Sequence, residues 1–325
     1  MKRIVILEKL KRSIVQQDGN VSVLVAFVLV VLMGMTAIVV DGGMLYAVKM
    51  HMQKTANATV LSGAQELTAT EQSVRSVADH VLHDHGESAS LVKLSTAMKD
   101  RTTVVLKKDV GVHLAKVIGI DKMPVSVKAT AKIEAMGAAM GAAPIGIDES
   151  KVLVYGQEYR LKVDNDEAVN GNFGIIALGE HAAGGASTYE TNLEYGFKGM
   201  LSVGDIVETK TGNVAGDTRK AVQARLDRSP YADGDTSHRD DSRILLVPVY
   251  KACPQNADSI EDCKNYHEDG QLKKIAITGF AYFYLTAPMD YNSKEIIGKF
   301  IERTGTGFVK PGAVNRGAYA IKLTE

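Results

Sequence analysis

The hydrophobic pattern divides the chain into one long apolar run and a longer stretch of alternating short segments. Residues 21–40 (VSVLVAFVLVVLMGMTAIVV) contain no charged side chain. A helix rises about 1.5 Å per residue, so about 20 residues cross the hydrocarbon core of a bilayer. We therefore predict a transmembrane helix over residues 21–40.

Two other interpretations of this run fit the sequence less well. A buried core helix would show polar periodicity at its flanks, and none is present. A cleaved signal peptide would have a shorter run followed by small residues, whereas Ile38 and Val40 occupy those positions. An uncleaved signal-anchor is the better interpretation.

Charge on either side of the run predicts its orientation. Residues 1–20 form a basic leader with a net charge of +3, and positive flanks stay on the cytoplasmic side. Asp41 marks the opposite end of the run. We expect a single pass, with the leader in the cytoplasm and the bulk of the chain outside it.

After the run, the pattern predicts a helical stalk and a small α/β subdomain over residues 41–135. Small residues in the stalk would permit close packing, either on another helix or on the protein's own domain. A second helix is predicted after a capping box of Thr68 and Glu71, and strands are predicted at 102–106 and 125–135. The positions that recur at near-helical spacing along the stalk are Leu45, Val48, Met52, Thr55 and Thr59.

Beyond residue 135 the period changes from helical to strand-like. Residues 136–150 are rich in glycine and alanine and are predicted to form a linker. Over 151–325, short runs rich in Val, Ile and aromatic residues are bounded by Gly, Asn and Asp, which predicts a β-rich domain. The predicted class is α+β: a transmembrane helix continuing into a helical stalk, followed by a β-rich extracytoplasmic domain.

Composition argues against a nucleic-acid-binding protein. The formal net charge is zero, so the chain beyond the basic leader is slightly acidic and offers no footprint for a phosphate backbone. The glycine-alanine stretch lacks the Lys-Ser/Thr of a phosphate-binding loop. We expect no nucleic acid, no small-molecule substrate and no cofactor.

The two cysteines, Cys253 and Cys263, lie in a polar segment between two predicted strands. Outside the cytoplasm they can form a disulfide. A zinc site would need a second ligand pair. The disulfide is favoured over free thiols, and both alternatives stay open.

Three other clusters resemble functional sites, and a structural interpretation is favoured for each. His80, His83 and His85 lack the acidic base of an HExxH metal site and suit a helix end. The acidic loop 232–242 lacks the EF-hand arrangement and is better read as solvated. Ser187 lies in GGASTY, which is not a GxSxG elbow. We expect no metal site and no catalytic residue, and therefore not an enzyme.

Three segments carry a resemblance to a known family: GNVSVLVAFVLVVLMGMTAIVVDGG, MQKTANATVLSGAQEL and VHLAKVIGIDKMPVSVKATAKI. They resemble the TadG-type proteins of Flp (tight-adherence) pilus systems and their TadE-type relatives. Asn57 departs from the acidic residue usual there, and Leu24 stands where prepilin-peptidase substrates carry glutamate. The chain is therefore more similar to the unprocessed TadG type than to a cleaved pilin.

The resemblance implies a structural or assembly role in the bacterial cell membrane. The implied partners are the lipid bilayer and other pilus-assembly proteins or pilin helices. Some relatives carry a von Willebrand A-type domain with a DxSxS metal motif, which this sequence lacks. A surface-exposed adhesin or ligand-binding module with the same anchor is the alternative, and a secreted-type hydrolase is a second one.

Overall fold

A computed structural model describes residues 18–162, 173–179, 186–209, 214–264, 266, 272–290, 292 and 294–324. The α-helices are α1 (Asp18–Ala64), α2 (Glu71–Asp84), α3 (Ala186–Tyr195) and α4 (Ala215–Arg228). Short 3-10 helices cover Ser88–Ser90, Ala115–Ile118 and Ile260–Cys263. Most strands belong to two sheets, each covered by helices on one face, so the expected α+β class is confirmed.

The first sheet has the strand order β1-β2-β3-β15-β12. Its long central strand also pairs, at its far end, with two short strands, β7 and β13. All pairs are antiparallel except β12 with β15. The bounds are β1 Leu91–Ala97, β2 Arg101–Gly111, β3 Lys122–Ala139, β7 Leu201–Ser202, β12 Arg303–Gly305, β13 Phe308–Val309 and β15 Ala318–Leu323.

The second sheet has the strand order β5-β11-β10-β9-β4-β6, with β8 and β14 also paired to β10. Its two central strands, β9 and β10, are continuous apolar runs buried on both faces, because helices pack on one face and the first sheet packs on the other. The bounds are β4 Ile145–Asp148, β5 Glu158–Lys162, β6 Phe173–Ile175, β8 Ile206–Glu208, β9 Ile244–Cys253, β10 Lys274–Ala287, β11 Glu295–Ile301 and β14 Val314–Asn315.

Helix α1 has two parts that differ in burial. Residues 21–40 are exposed except for the half-buried Ala37, whereas the later turns pack on the first sheet and on α2. The buried positions recur every three or four residues, which places them on one side of the helix. They are Met52, Thr55, Ala56, Thr59, Val60, Gly63 and Ala64.

An apolar cluster lies between the two sheets and contains residues from both. Met136 and Ala318 from the first sheet meet Leu246, Tyr250 and Phe280 from the second. Helices α3 and α4 cover the other face of the second sheet. The chain beyond the apolar run therefore folds as two sheet-centred halves with a common core between them.

The structure differs from the predicted linker at 136–150, which runs through the end of β3 and all of β4. The small residues there serve close packing. A Cβ added at Gly137 would lie 2.2 Å from the Lys310 Cβ, and one at Gly146 would lie 2.7 Å from atoms of Ile176 and Tyr250. Gly137 and Gly146 therefore mark tight contacts rather than a flexible connection.

Two other sequence-based boundaries also change. Strands β12 and β15, predicted as part of the C-terminal domain, belong to the first sheet, where β15 pairs with β3 and β12 pairs with β15. The cap of α2 is Thr70, whose Oγ1 accepts the Ser73 N–H at 3.1 Å, rather than a box of Thr68 and Glu71. Residues 65–67 continue as a hydrogen-bonded turn after α1, which moves the helix start two residues along.

Candidate functional site at the base of the long helix

The exposed part of α1 is a candidate transmembrane helix. Within the described residues, one helix is long and apolar enough to cross a membrane, by length and composition, and it contains this segment. Phe27 has 69% of its surface exposed, and the polar Thr36 donates its hydroxyl to the Leu32 carbonyl at 2.9 Å. A continuous apolar surface of this extent needs a non-aqueous partner.

Asp41, the first charged residue after this segment, ties the helix to the folded domain. Its carboxylate accepts three consecutive backbone N–H groups, from His113 at 2.9 Å, Leu114 at 2.9 Å and Ala115 at 2.7 Å. Those groups lie where the 3-10 helix Ala115–Ile118 begins, so they have no acceptor within that helix. Asp41 is 5% exposed. It therefore fixes the segment between β2 and β3 to the base of the helix.

The small residues of the stalk pack on the protein's own sheet and on α2. Ala56 and Ala64 are fully buried in the cluster formed by α1, α2 and the first sheet. A Cβ added at Gly63 would lie 3.4 Å from the Val74 Cγ1. Of the two interpretations open from sequence, these positions therefore follow packing on the protein's own domain. Contact with a separate helix is left to the exposed segment.

Asn57, which departs from the family's acidic residue, accepts a hydrogen bond from Gln53 Nε2 at 3.0 Å. The same amide nitrogen lies 3.1 Å from the Lys128 carbonyl of β3. The position therefore belongs to the helix–sheet contact.

A second polar junction was missed from sequence. Glu87 lies between α2 and the following 3-10 helix and is buried. It accepts hydrogen bonds from the Ser90 hydroxyl and from Lys108 Nζ, the latter at 2.8 Å. Burial raises the pKa of Glu87, but the bonds from Lys108 and Ser90 outweigh it and hold the pKa below its ordinary value. His51 of α1 lies 3.8 Å away. A local sequence motif could not predict the contact of Glu87 with Lys108 and His51, because the three residues come from different elements.

The histidine cluster does not converge on one point. His80 and His83 each lie beside Asp84, at 3.2 Å and 3.5 Å, on the exposed end of α2. His85 instead contacts the Thr55 hydroxyl at 3.3 Å. Among the described residues, no group of three or more His, Cys, Asp or Glu side chains could hold a metal ion.

The acidic loop is engaged in contacts of its own. Asp235 accepts the Ser237 N–H at 2.9 Å and lies 3.2 Å from His238, and Asp240 accepts the Tyr231 hydroxyl at 2.7 Å. Serine 187 lies near the start of α3. Gly184 and Gly185 of the same GGASTY segment lie outside the described residues.

Cys253, at the end of β9, and Cys263, at the end of a 3-10 helix, have their sulfur atoms 2.01 Å apart. Both are buried in a small cluster with Ala257 and Ala276. This arrangement closes the connection between β9 and β10 at its base. The sequence placed the pair in this connection but left its redox state open.

A cavity of about 280 Å³ lies where the two halves meet. On one side, Arg239 donates to the Thr304 carbonyl at 3.0 Å and to the Gln65 carbonyl at the end of α1. Arg303 is buried beside it and donates to the Thr236 carbonyl at 2.9 Å. Burial and the neighbouring Arg239 lower the pKa of Arg303. Arg239 is also paired with Glu66 at 3.1 Å, so Arg303 is the cavity arginine whose described contacts include no carboxylate.

Helix α1 matches a known protein family. Residues 19–66 match the model of the family described as Flp pilus-assembly TadE/G-like. Comparisons with curated proteins and with solved structures gave no match. The matched range covers the apolar segment, Asp41 and the part of α1 that packs on the first sheet. Over residues 19–66, the N-terminal helix of this chain is thus similar to the TadE/G-like pilus-assembly family.

Proposed function

We propose that the protein is a membrane-anchored structural or assembly component of a Flp-type (tight-adherence) pilus and acts without catalysis. Residues 21–40 cross the cell membrane, the leader stays in the cytoplasm and the folded part lies outside. One observation carries the proposal: the family match of residues 19–66 coincides with the helix that is exposed and apolar at one end and built into the domain at the other.

The continuous helix suggests how such a protein would work. The span and the stalk belong to one helix, and Asp41 joins that helix to the sheet. A contact made by the helix within the membrane would therefore set the position of the domain outside it. Nothing lies within 4 Å of a Cβ added at Gly34, so a pilin helix or another assembly helix could approach closely there.

Deletion and complementation in the source bacterium test the proposal. We expect deletion of the gene to remove surface pili and adherence, and the wild-type gene to restore both. Gly34→Leu should restore them less well, because the side chain blocks close helix contact. Val25→Leu is the matched control, since about 100° per residue puts it on the opposite side of the helix. Unchanged pili in the deletion strain would refute the pilus role.

One observation favours the alternative of a ligand-binding module. The cavity between the halves holds the buried Arg303, whose described contacts include no carboxylate within ion-pair distance. An anion there would give Arg303 a charged partner, as Glu66 does for Arg239 at 3.1 Å.

Acetate and phosphate are suitable probes for this alternative. Either anion should raise the melting temperature of the full-length protein in detergent, and Arg303→Met should abolish that rise. Equal shifts in wild type and variant would rule out this cavity as the site.

A further inference from the structure

Three large apolar side chains are exposed on the connection between β2 and β3 and on the first two residues of β3. We call residues 112–123 the base loop. In it Leu114 is 39% exposed, Ile120 40% and Met123 41%. Lys116 and Lys122 are exposed beside them, with Asp121 as the acidic residue of the loop. Exposed apolar and basic side chains grouped in one short loop are the combination that interfacial membrane segments present.

The contacts of α1 place the base loop level with the end of the apolar segment. Near the C-terminal end of α1, a Cβ added at Gly63 would lie 3.7 Å from the Thr102 Cγ2 at the start of β2. From Gly63 down to Asp41 the helix descends about 33 Å at 1.5 Å per residue. From Thr102 to His113 the strand covers about 36 Å at 3.3 Å per residue. The two descend side by side and meet at the bonds of Asp41 to residues 113–115.

This position leaves little distance between the base loop and the membrane. Asp41 directly follows the apolar residue Val40, so the loop that it binds lies where the hydrocarbon core gives way to lipid headgroups. Tyr46 is exposed about 9 Å beyond Val40 along the helix, within the layer where Tyr is enriched in membrane proteins. The loop, the helix end and Tyr46 therefore face the same layer.

We propose that the base loop is a second membrane contact, seated in the interfacial layer of the bilayer that α1 crosses. Leu114, Ile120 and Met123 lie at the boundary between headgroups and acyl chains. Lys116 and Lys122 extend toward lipid phosphates, since long basic side chains keep their stems in apolar surroundings and their charges in the headgroup layer. The proposal rests on the proposed membrane anchor.

A second contact would change what the anchor does. A single helix fixes the domain to the membrane but leaves its tilt to be set by other contacts. The base loop lies to one side of α1 and would hold the first sheet upright against the bilayer. Together, the transmembrane helix and the base loop would hold the folded domain in one orientation relative to the membrane.

The chain contains no tryptophan, so a single introduced tryptophan reports its own depth. Three variants of the full-length protein, Phe27→Trp, Leu114→Trp and Phe308→Trp, would be reconstituted in phosphatidylcholine and phosphatidylglycerol vesicles with brominated acyl chains. Phe27 lies in the apolar segment. Phe308 is 63% exposed and pairs with the far end of β3, so it is the water-exposed control.

We expect bromine to quench Trp at position 27 most, at position 114 clearly and at position 308 hardly at all. Quenching at position 27, with position 114 behaving like position 308, would overturn the base-loop contact and leave the anchor intact. No quenching at position 27 would refute the anchor itself. Ile120→Trp, on the same loop, repeats the test should Leu114→Trp fail to fold.

Discussion

The carboxylate of Asp41 accepts three consecutive backbone N–H groups at the point where the apolar segment ends. Hydrogen bonds to a charged acceptor are stronger than those between neutral groups. A single residue therefore holds the β2–β3 connection against the helix. From sequence, Asp41 could be identified as the end of the apolar run, but its partners lie more than seventy positions away and no local pattern points to them.

The first prediction concerns this carboxylate. Asp41→Asn keeps the shape of the side chain but replaces one oxygen with a donor, so at least one N–H of residues 113–115 loses its acceptor. We expect faster hydrogen exchange at these amides and a melting temperature lower by several degrees. Asp121→Asn, an exposed change in the same loop, should have almost no effect. Equal exchange in the two variants would contradict the role of Asp41.

The second prediction concerns Glu87 and its pH dependence. Glu87→Gln should reduce the free energy of unfolding at pH 7 by about 1.5–3 kcal/mol, because charge-assisted bonds from Lys108 and Ser90 are lost. The pKa of Glu87 is lowered in the folded state. Its stabilisation is therefore present above the unfolded pKa of about 4.3 and lost as pH falls through the folded pKa.

Denaturant unfolding of the wild type and Glu87→Gln at several pH values measures this effect. The two proteins should converge in stability in acid. Glu158→Gln, which removes an exposed pair with Arg160 at 3.5 Å, should change the unfolding free energy by less than about 1 kcal/mol. A constant difference between wild type and Glu87→Gln from pH 7 to pH 3 would show that Glu87 does not act through its charge.

Among the elements, helix α1 is predictable over its apolar run because that pattern is local and uniform. Its continuation as one 47-residue helix is less evident from sequence, because Gly42 and Gly43 favour a break. Packing on the first sheet and the bonds of Asp41 offset this local preference. The glycine-alanine stretch in β3 and β4 shows the opposite error, where small residues that look flexible serve close contacts.

The third prediction compares two glycines of the same helix. Gly63→Leu should destabilise the protein by about 1–3 kcal/mol, because the side chain would meet Val74 and Thr102 in a filled core. Gly42→Leu has nothing within 4 Å and should be neutral or stabilising by up to about 1 kcal/mol. Thermal unfolding in detergent measures both. Similar losses in the two variants would mean that helix α1 does not pack on α2 as described.

The fourth prediction concerns the connection between β9 and β10. If Cys253 and Cys263 are bonded in the cell, replacing both with serine removes a constraint worth about 2.5–3 kcal/mol in the chain-entropy model. Reductant should lower the melting temperature of the wild type but leave that of the double variant unchanged. Alkylation without prior reduction, followed by mass spectrometry, shows directly whether the two cysteines are free thiols or bonded to each other. Two alkylated cysteines in protein taken from the cell envelope would show free thiols.

At the scale of the whole molecule, two features join the halves: C-terminal strands belong to the first sheet, and the two sheets share an apolar core. Strands β12 and β15 come from the C-terminal end yet complete the first sheet beside β3. Sequence patterns can place such strands along the chain, but strand pairing between distant segments depends on tertiary contacts. For this reason the strand-rich character beyond residue 150 was predictable, whereas the return of the last strands to the first sheet was not.

The fifth prediction concerns topology, the claim on which the pilus role and the membrane contacts depend. Protease added to intact spheroplasts measures it most directly, with an epitope tag on the leader and a cytoplasmic marker as the control for lysis. We expect the folded part beyond Asp41 to be digested, while the tag and the marker survive until detergent is added. Survival of the full-length chain under the same conditions would contradict an extracytoplasmic domain held by the helix over residues 21–40.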